Sequence, residues 1–405
     1  MTTMAIDNKD KKVLNVPHLR FPEFSGEWEM VSLQDIATIN PKSDPLQNTF
    51  IYIDLEAVEK GELRKIQEIM REEAPSRAQR VIDNNDILFQ CVRPYQKNNY
   101  IHRILNTSNQ QWVASTGYAQ IRTTELPNYI YHLLNTDEFN RKVMVRCTGS
   151  SYPAINSEDL ATIHLYYTPD KKEQLKISRL LDLLDKRIAT QNKIIEDLKK
   201  LKSAISKHLF ARKDLLETTI CLSNIATLKN GYAFQSGKYN ALGKWKILTI
   251  TNVSGERYIN DEDYNCIINL PNDIQDHQVL KEGDILISLT GNVGRVSLCK
   301  DGDYLLNQRV GLLQLAKNVN QEFLYQILSS QRFENSMIAC GQGAAQMNIG
   351  KGDVESYVLP YSSNVNNILL VAKILHSYDE YIINEQRKLT LLTMQKQYFL
   401  AQMFI

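Results

Sequence analysis

The sequence predicts an α+β chain in which two similar α/β domains alternate with two long helices. Three observations predict this order: a repeat that runs along most of the chain, a segment without glycine or proline after each globular part, and mixed strand-like and helix-like patterns within those parts. A chain of 405 residues is also too long for one ordinary core, so two domains are expected.

The repeat has an offset of 194 residues and extends far along both halves. Residues 129–139 match residues 323–333, and the same offset pairs Gly149 with Gly343, Ile155 with Ile349, Asp159 with Asp353, Leu165 with Leu359, Asp185 with Asp379, Ile188 with Ile382 and Phe210 with Phe404. Upstream, with small insertions, residues 31–39 match 220–228 and residues 85–88 match 283–286. A register held over this length indicates a duplication.

Each half ends in a segment with the pattern of a long helix. Residues 171–212 contain no glycine or proline and are rich in helix formers. Apolar residues recur at alternating spacings of three and four, which is typical of a coiled coil. They are Ile177, Leu181, Leu184, Ile188, Ile195, Leu198, Ile205 and Leu209 in the first segment, and Val371, Leu375, Tyr378, Ile382, Leu389, Leu392, Phe399 and Met403 in the second.

Polar residues interrupt both apolar stripes at equivalent places, Gln191 and Lys202 in one and Glu385 and Lys396 in the other. Because polar breaks in such a stripe often set register, the two helices are predicted to pack as an antiparallel coiled coil with pseudo-twofold symmetry. The alternative is that each helix folds back on its own domain. The predicted interface residues are Leu181, Leu184, Ile188, Ile195, Leu198, Leu375, Tyr378, Ile382, Leu389 and Leu392.

These patterns divide the chain into four segments. They are a first domain over residues 1–170, a central helix over 171–214, a second domain over 215–364 and a C-terminal helix over 365–405.

The two globular parts share strand patterns but differ in the polar loops between them. Residues 284–299 predict a strand, a turn at 290–294 and a second strand, and residues 86–104 predict the equivalent strands around a longer loop. Two further pairs of loops, 115–118 with 307–310 and 147–152 with 341–346, have similar turn residues and different polar groups.

Similar scaffolds with different polar loops suit two modules that recognise different DNA sequences, since Arg, Lys, Asn and Gln match the hydrogen-bonding groups of base edges. The alternative is the ordinary hydrophilicity of loops. The predicted DNA-binding residues are Gln90, Arg93, Tyr95, Lys97, Asn98, Ser115, Thr116, Tyr118, Arg146, Ser150, Ser151 and Tyr152 in the first half, and Thr290, Asn292, Arg295, Asn307, Gln308, Arg309, Gln342 and Gln346 in the second.

Composition excludes several classes of protein. A hydrophobic share of 43% and a charged share of 23% are those of a globular chain, and no stretch approaches the ~20 apolar residues of a bilayer span. The N-terminal residues are polar and resemble no signal peptide, so a cytoplasmic location is expected. The six cysteines are scattered and expected to be reduced, and a net charge of +1 requires any nucleic-acid contact to be local.

The sequence contains no recognisable catalytic or metal-binding motif. The seven histidines are dispersed, and neither a nucleophile elbow nor a phosphate-binding loop occurs. The acids that the repeat aligns, Asp86 with Asp284, Asp159 with Asp353 and Asp185 with Asp379, are interpreted as turn and cap residues.

Residues 16–28, Val-Pro-His-Leu-Arg-Phe-Pro-Glu-Phe-Ser-Gly-Glu-Trp, resemble the opening of the specificity subunits of type I restriction-modification enzymes. The order of globular part and long helix is similar to that family along essentially the whole chain. The resemblance implies two target-recognition domains that each recognise half of an asymmetric bipartite DNA sequence, separated by helices that set the spacer. It also implies two methylation subunits as partners, and restriction subunits through the assembled complex.

The resemblance further implies that this chain is not an enzyme and holds no cofactor or metal of its own. S-adenosylmethionine for adenine methylation would belong to the methylation subunits, and ATP and magnesium to partners that translocate and cleave DNA. Two other hypotheses remain: a coiled-coil scaffold without DNA recognition, and an autonomous nuclease or methyltransferase, for which the sequence offers no cofactor pocket.

Overall fold

Each sequence half contains an antiparallel four-stranded sheet with the same strand order. The computed structural model describes residues 15–104, 110–341 and 347–405. They form two units: unit 1 comprises the chain up to Gln191 together with Lys388–Ile405, and unit 2 comprises Asn192–Arg387. The division falls within the two long helices, so each helix contributes to both units.

Unit 1 contains twelve strands among its described residues. They are β1 Glu29–Ser32, β2 Ala37–Ile39, β3 Thr49–Ile53, β4 Val58–Glu59, β5 Glu62–Leu63, β6 Gln67–Met70, β7 Ala78–Val81, β8 Ile87–Gln90, β9 Tyr100–Ile101, β10 Trp112–Ser115, β11 Tyr118–Thr123 and β12 His164–Tyr167. Its helices are α1 Leu33–Ile36, α2 Pro127–Leu134, α3 Asp137–Arg146, α4 Ser157–Ala161 and the start of α5 Lys171–Ala211.

Unit 2 repeats this order with fewer strands. They are β13 Thr218–Cys221, β14 Ala226–Asn230, β15 Trp245–Leu248, β16 Asn265–Ile267, β17 Ile285–Ser288, β18 Val296–Leu298, β19 Tyr304–Leu306, β20 Val310–Leu315 and β21 Val358–Tyr361. Its helices are α6 Gln321–Leu328, α7 Gln331–Gly341, α8 Lys351–Glu355 and most of α9 Val365–Gln402. Short 3₁₀ turns occupy Arg71–Glu73, Pro94–Gln96, Leu222–Asn224, Ser236–Lys238 and Asp276–Gln278.

One sheet has the same strand order in the two units, whereas the second sheet has four strands in unit 1 and three in unit 2. An antiparallel sheet β2-β11-β8-β9 in unit 1 corresponds to β14-β20-β17-β18 in unit 2. A second sheet contains one parallel pair in each unit, β3 with β10 and β15 with β19. The strands that open and close each half also pair, β1 with β12 and β13 with β21. The duplication predicted from the sequence is therefore present in the strand topology.

Strands β8 and β17 lie inside their antiparallel sheets and are covered on both faces, which explains the continuous apolar run in each. In β8, Ile87 and Phe89 join the core beneath the helices, whereas Leu88 joins the core between the sheets. In β17, Ile285 and Ile287 face one core and Leu286 the other. Because successive side chains point to opposite faces, a strand covered on both sides needs apolar residues throughout.

The predicted strand, turn and strand at 284–299 are confirmed. Strand β17 pairs antiparallel with β18 and aligns Ile285 with Leu298. The equivalent strands β8 and β9 align Ile87 with Ile101.

The two predicted long helices are observed as α5, with 41 residues, and α9, with 38 residues. In unit 1, α5 contributes Leu181 and Leu184 to the core that contains Phe404, whose ring lies 6.0 Å from Trp28. In unit 2, Leu209 of α5 shares a core with Val371 and Leu375 of α9.

Ion pairs join α9 to α5 within each unit. In unit 2, Lys202 Nζ lies 2.6 Å from an Asp379 carboxylate oxygen, and after the end of α5 the Leu215 carbonyl accepts a hydrogen bond from Asn367 Nδ2. In unit 1, Lys396 Nζ lies 2.5 Å from an Asp185 carboxylate oxygen. The polar breaks Lys202 and Lys396 are thus ion-paired at equivalent positions of the repeat.

The interpretation of the aligned acids is confirmed for two pairs and wrong for the third. Asp86 and Asp284 accept hydrogen bonds from the backbone N–H groups of Asp83 and Lys281, as turn residues do. Asp159 and Asp353 lie in the first turns of α4 and α8. Asp185 and Asp379, by contrast, lie within long helices and pair with lysines, because each faces the other helix.

Candidate nucleic-acid interface

Three loops of unit 1 meet beside the end of β8. They are residues 91–99, 115–118 and 148–154, which we call the first three-loop cluster. Cys91 N donates to the Gly117 carbonyl at 3.0 Å, and Ile155 N donates to the Cys91 carbonyl at 3.1 Å. Cys91 therefore joins all three loops through its own backbone groups.

Unit 2 has the same hydrogen bonds at equivalent residues. Leu289 N donates to the Arg309 carbonyl at 3.0 Å, and Ile349 N donates to the Leu289 carbonyl at 2.9 Å. The second three-loop cluster therefore comprises residues 289–295, 307–310 and 347–349. Two of the loop pairs that the sequence aligned, 86–104 with 284–299 and 115–118 with 307–310, thus meet on one backbone frame in both units, whereas residues 342–346 lie outside the described residues.

The long loop of the first cluster is held in a constrained conformation. Arg93 and Lys97 have positive φ angles of 54° and 52°, which non-glycine residues rarely adopt. Gln90 Nε2 donates to the Val92 carbonyl at 2.8 Å and to Gln96 Oε1 at 2.9 Å. Gln90 N donates to Asn99 Oδ1. Residues around the loop thus stabilise an unfavourable backbone, which is common at functional sites.

The first cluster carries exposed tyrosine and serine side chains and one half-buried arginine, Arg93. The Arg93 guanidinium carbon lies 4.3 Å from the ring centre of Tyr152. Tyr152 is 64% exposed and Tyr95 50%. Ser150 and Ser151 are exposed beside Tyr152. These five residues present hydrogen-bonding and stacking groups to solvent.

Three predicted DNA-binding residues point inward, which changes their role. Gln90, Ser115 and Tyr118 are buried. The Tyr118 hydroxyl donates to the Asp54 carbonyl at 3.3 Å, and burial raises the pKa of its phenol above the ordinary value. Ser115 Oγ accepts a hydrogen bond from Gly117 N. We assign these three side chains to support of the loops, because they have no surface to offer to a ligand in this arrangement.

Other predicted residues of unit 1 already have internal partners. Lys97 Nζ lies 2.5 Å from an Asp137 carboxylate oxygen, and Asn98 Oδ1 accepts from Lys60 N. Arg146 donates to the Asp159 carbonyl at 2.8 Å and to Thr162 Oγ1 at 2.6 Å. Thr116 is half-buried, and its N–H donates to the Arg77 carbonyl. The side chains of Lys97 and Arg146 therefore help to hold the loops.

In unit 2, the predicted residues lie on two loops of the second cluster. Asn292, Gln308 and Arg309 are exposed, whereas Thr290 and Asn307 are half-buried. Arg295 is half-buried, and its Nε lies 3.5 Å from a Glu334 carboxylate oxygen. Gln342 and Gln346 lie outside the described residues.

Sequence reasoning missed a segment that adjoins the second cluster. Tyr232 N donates to the Leu306 carbonyl, and Gln308 N donates to the Tyr232 carbonyl at 3.0 Å. A Cβ atom on Gly231 would lie 2.1 Å from the Asn307 carbonyl oxygen, so only glycine fits there. A glycine directly after β14 was an available signal, because glycine at a strand end often marks a close backbone approach.

The ten predicted helix-interface residues are all at least partly covered. Leu181, Leu184, Ile195, Leu375 and Ile382 are buried. Ile188, Leu198, Tyr378, Leu389 and Leu392 are half-buried.

No group of three or more His, Cys, Asp or Glu side chains among the described residues is placed to hold a metal ion. Burial raises the pKa of the Cys91 thiol to about 11 and that of Cys299 to about 12, so neither favours the reactive thiolate near neutral pH. No helix in this part of the chain is long and apolar enough to cross a membrane.

Comparison with known proteins reveals similarity along most of the chain. A family model described as the type I restriction modification DNA specificity domain matches twice, over residues 25–200 and 217–394. The type I restriction enzyme MjaVIII specificity subunit of Methanocaldococcus jannaschii is 25% identical over 370 residues, which cover 81% of this chain and 80% of that protein. The HindI specificity subunit of Haemophilus influenzae is 24% identical over 195 residues, 47% of this chain and 39% of that one.

Two solved structures share the fold. The S subunit of a type I restriction-modification system from M. genitalium superposes with a TM-score of 0.59 at 15% identity, covering 96% of this chain and 99% of that one. A chain from a structure of complex assembly and conformational transition in the type I R-M system gives 0.57 at 19% identity, covering 95% and 98%.

Proposed function

The chain belongs to the family of type I restriction-modification DNA specificity domains and contains two of them, and from this membership we propose how its units divide DNA recognition. It is a specificity subunit with two target-recognition domains. Each unit contacts one half of an asymmetric bipartite target through its three-loop cluster. The observation that carries this proposal is one hydrogen-bonded backbone frame, found in both units, with different exposed side chains.

The side chains that are exposed, together with half-buried Arg93, suit contacts with base edges. Arg93 and Tyr152 in the first cluster and Asn292, Gln308 and Arg309 in the second supply donors, acceptors and a stacking surface. Each wrong base pair costs about 1–3 kcal/mol, roughly additively for separated positions. Two short half-sites together therefore discriminate between sequences better than either alone.

We also propose that α5 and α9 form an antiparallel coiled coil related by a pseudo-twofold axis. The equivalent ion pairs of Lys202 with Asp379 and Lys396 with Asp185 support this arrangement, as does the coverage of the ten apolar interface residues. In this proposal, residues 171–214 and 365–405 separate the domains over 1–170 and 215–364. The helices then set the length of the unspecified DNA between the half-sites.

The chemistry of the system would belong to other subunits. Two methylation subunits dock on this chain and use S-adenosylmethionine to methylate adenine, and restriction subunits add ATP- and magnesium-dependent translocation and cleavage of double-stranded DNA. This chain then acts without a cofactor of its own. Family membership and the relatives' names as specificity subunits support the assignment.

Exchange of one domain tests the division of recognition. We expect that replacing residues 220–360 with the matching segment of a relative changes one half of the methylated sequence and leaves the other half unchanged. Sequencing of modified adenines in cells that express the hybrid with its methylation subunits measures both halves at once. An unchanged target, or a change in both halves, contradicts the proposal.

A coiled-coil scaffold without DNA recognition is the less favoured function. It predicts no gain in affinity for any duplex when methylation subunits are added. It also predicts little dependence of binding on salt, whereas contacts with DNA phosphates weaken steeply as salt rises.

A further inference from the structure

Arg93 differs from two basic neighbours, Lys97 and Arg146, because its guanidinium has neither an ion-pair nor a hydrogen-bond partner among the described residues. Lys97 is ion-paired with Asp137, and Arg146 donates to the Asp159 main-chain carbonyl and to Thr162 Oγ1. No carboxylate among the described residues pairs with the Arg93 guanidinium, which instead lies over the ring of Tyr152. Its hydrogen-bond donors are therefore available to a ligand.

The backbone of Arg93 is held in place independently of its side chain. Its N–H donates to the Pro153 carbonyl at 2.8 Å, and its φ of 54° and ψ of 54° belong to the left-handed region. Pro94 follows directly and is buried, so the next φ angle is restricted as well. The loop thus fixes the direction in which the Arg93 side chain leaves the backbone, which lowers the backbone entropy lost on binding.

The contact with Tyr152 orients the guanidinium without using its donors. A cation over an aromatic face interacts through the π system, whereas the N–H donors of arginine lie in the guanidinium plane. Tyr152 remains 64% exposed, so the pair is accessible from solvent. The donor fork of arginine matches the O6 and N7 acceptors of guanine in the major groove, which is the commonest specific contact between a side chain and a base.

We propose that Arg93, oriented by Tyr152, recognises one guanine in the DNA half-site contacted by unit 1. This proposal rests on the function proposed above and assigns a base and a pair of residues to one of its recognition surfaces. Arg93 makes the base contact, and Tyr152 is the positioning residue. Ser150 and Ser151, exposed next to Tyr152, flank the contact.

The test uses the full chain assembled with its methylation subunits and a library of duplexes randomised in both half-sites. We expect Arg93→Ala to lower the preference for guanine at one position of one half-site by roughly 10- to 100-fold. Preferences in the other half-site stay unchanged and show that the complex is folded. Arg93→Lys keeps the charge but loses the fork, so it retains most of the overall affinity and loses much of the preference.

Two further variants separate orientation from charge. Tyr152→Leu keeps Arg93 and removes the ring, and it is expected to weaken the same guanine preference by a smaller factor. Arg141→Lys is the matched control, because Arg141 pairs with Glu138 on its own helix. Its preferences are expected to equal those of the wild type.

Three outcomes overturn the assignment. An unchanged guanine preference in Arg93→Ala removes Arg93 as a reader of bases. A uniform loss of affinity for all sequences makes Arg93 a phosphate contact instead. Should Arg93→Ala fail to assemble, an unchanged preference in Arg93→Lys has the same meaning as the first outcome. Absence of any sequence preference in the wild-type complex would contradict the proposed function, which is a separate result.

Discussion

At the scale of single residues, equivalent positions of the repeat have acquired different electrostatic surroundings. Asp86 is buried and lies 2.8 Å from the Arg122 guanidinium, which compensates its charge. Asp284 takes the same turn position, but burial raises the pKa of its carboxyl above the ordinary value. The backbone role is thus preserved in both units, whereas the charge is balanced by arginine only at Asp86.

His102 leads to a prediction on acid stability. It is buried beside Trp112 with ring centres 5.0 Å apart, and burial lowers its pKa to about 4. Because the unfolded chain binds this proton near pH 6.5 and the folded chain only near pH 4, stability is lost as pH falls between these values. On acidification, the free energy of unfolding should therefore fall by about 1–3 kcal/mol less in His102→Phe than in the wild type.

The measurement is the urea midpoint of the full chain at pH 7 and pH 4.5. His208→Phe is the control, since His208 is exposed on α5. Equal loss of stability on acidification in the wild type and in His102→Phe would show that His102 is not responsible.

At the scale of secondary-structure elements, the two helices make equivalent ion pairs in unequal environments. Asp379 is 8% exposed, and its carboxylate also accepts hydrogen bonds from Arg257 at 3.0 Å and Gln326 at 2.6 Å. Asp185 is 35% exposed and pairs with Lys396. In unit 2, Asp379 therefore links α9 to both α5 and α6 through buried polar contacts.

Neutralising these two acids should have unequal effects. Asp379→Asn leaves Lys202 without its carboxylate and Arg257 with only Glu322, and we expect it to lower the free energy of unfolding by about 3–5 kcal/mol. Asp185→Asn should cost at most about 1 kcal/mol, because this pair is more accessible to solvent, which screens it. Chemical denaturation of both variants measures the difference. Equal effects would mean that burial does not determine the strength of these pairs.

At the scale of the whole molecule, α5 and α9 each contribute to both units, as expected if they are the separators. The proposed coiled coil predicts the effect of lengthening it. Seven residues inserted between Gln191 and Asn192, together with seven between Leu389 and Thr390, keep the heptad phase and add about 10 Å to each helix. The two insertion sites lie opposite each other if the alignment of α5 with α9 that is defined by the two ion pairs extends between them.

We expect this double insertion to widen the gap between the half-sites by about three base pairs, since each base pair adds about 3.4 Å along DNA. The half-site sequences should stay the same. Modified-adenine sequencing measures both quantities, and insertion into α5 alone is the control that should impair assembly. An altered half-site with an unaltered gap would contradict the role of the helices as a spacer.

The fold was largely predictable because its signals are local or repeat along the chain. The absence of glycine and proline from residues 171–212 indicated α5, and the offset of 194 residues indicated two similar domains. The apolar run in β17 and the glycine after it indicated the hairpin. Periodicity and turn chemistry depend on neighbouring residues, so they can be recognised without knowing the tertiary structure.

What only the tertiary structure decided is the direction in which individual side chains point. Gln90, Ser115 and Tyr118 lie in polar loop-like segments or at strand ends, yet packing of distant strands buries them. Asp379 meets Lys202 across 177 residues of sequence, and a local pattern cannot reveal that pairing. The sequence by itself determined a duplicated chain of domains and long helices. The burial and partners of its polar residues depend on contacts distant in sequence, and only the folded chain specifies them.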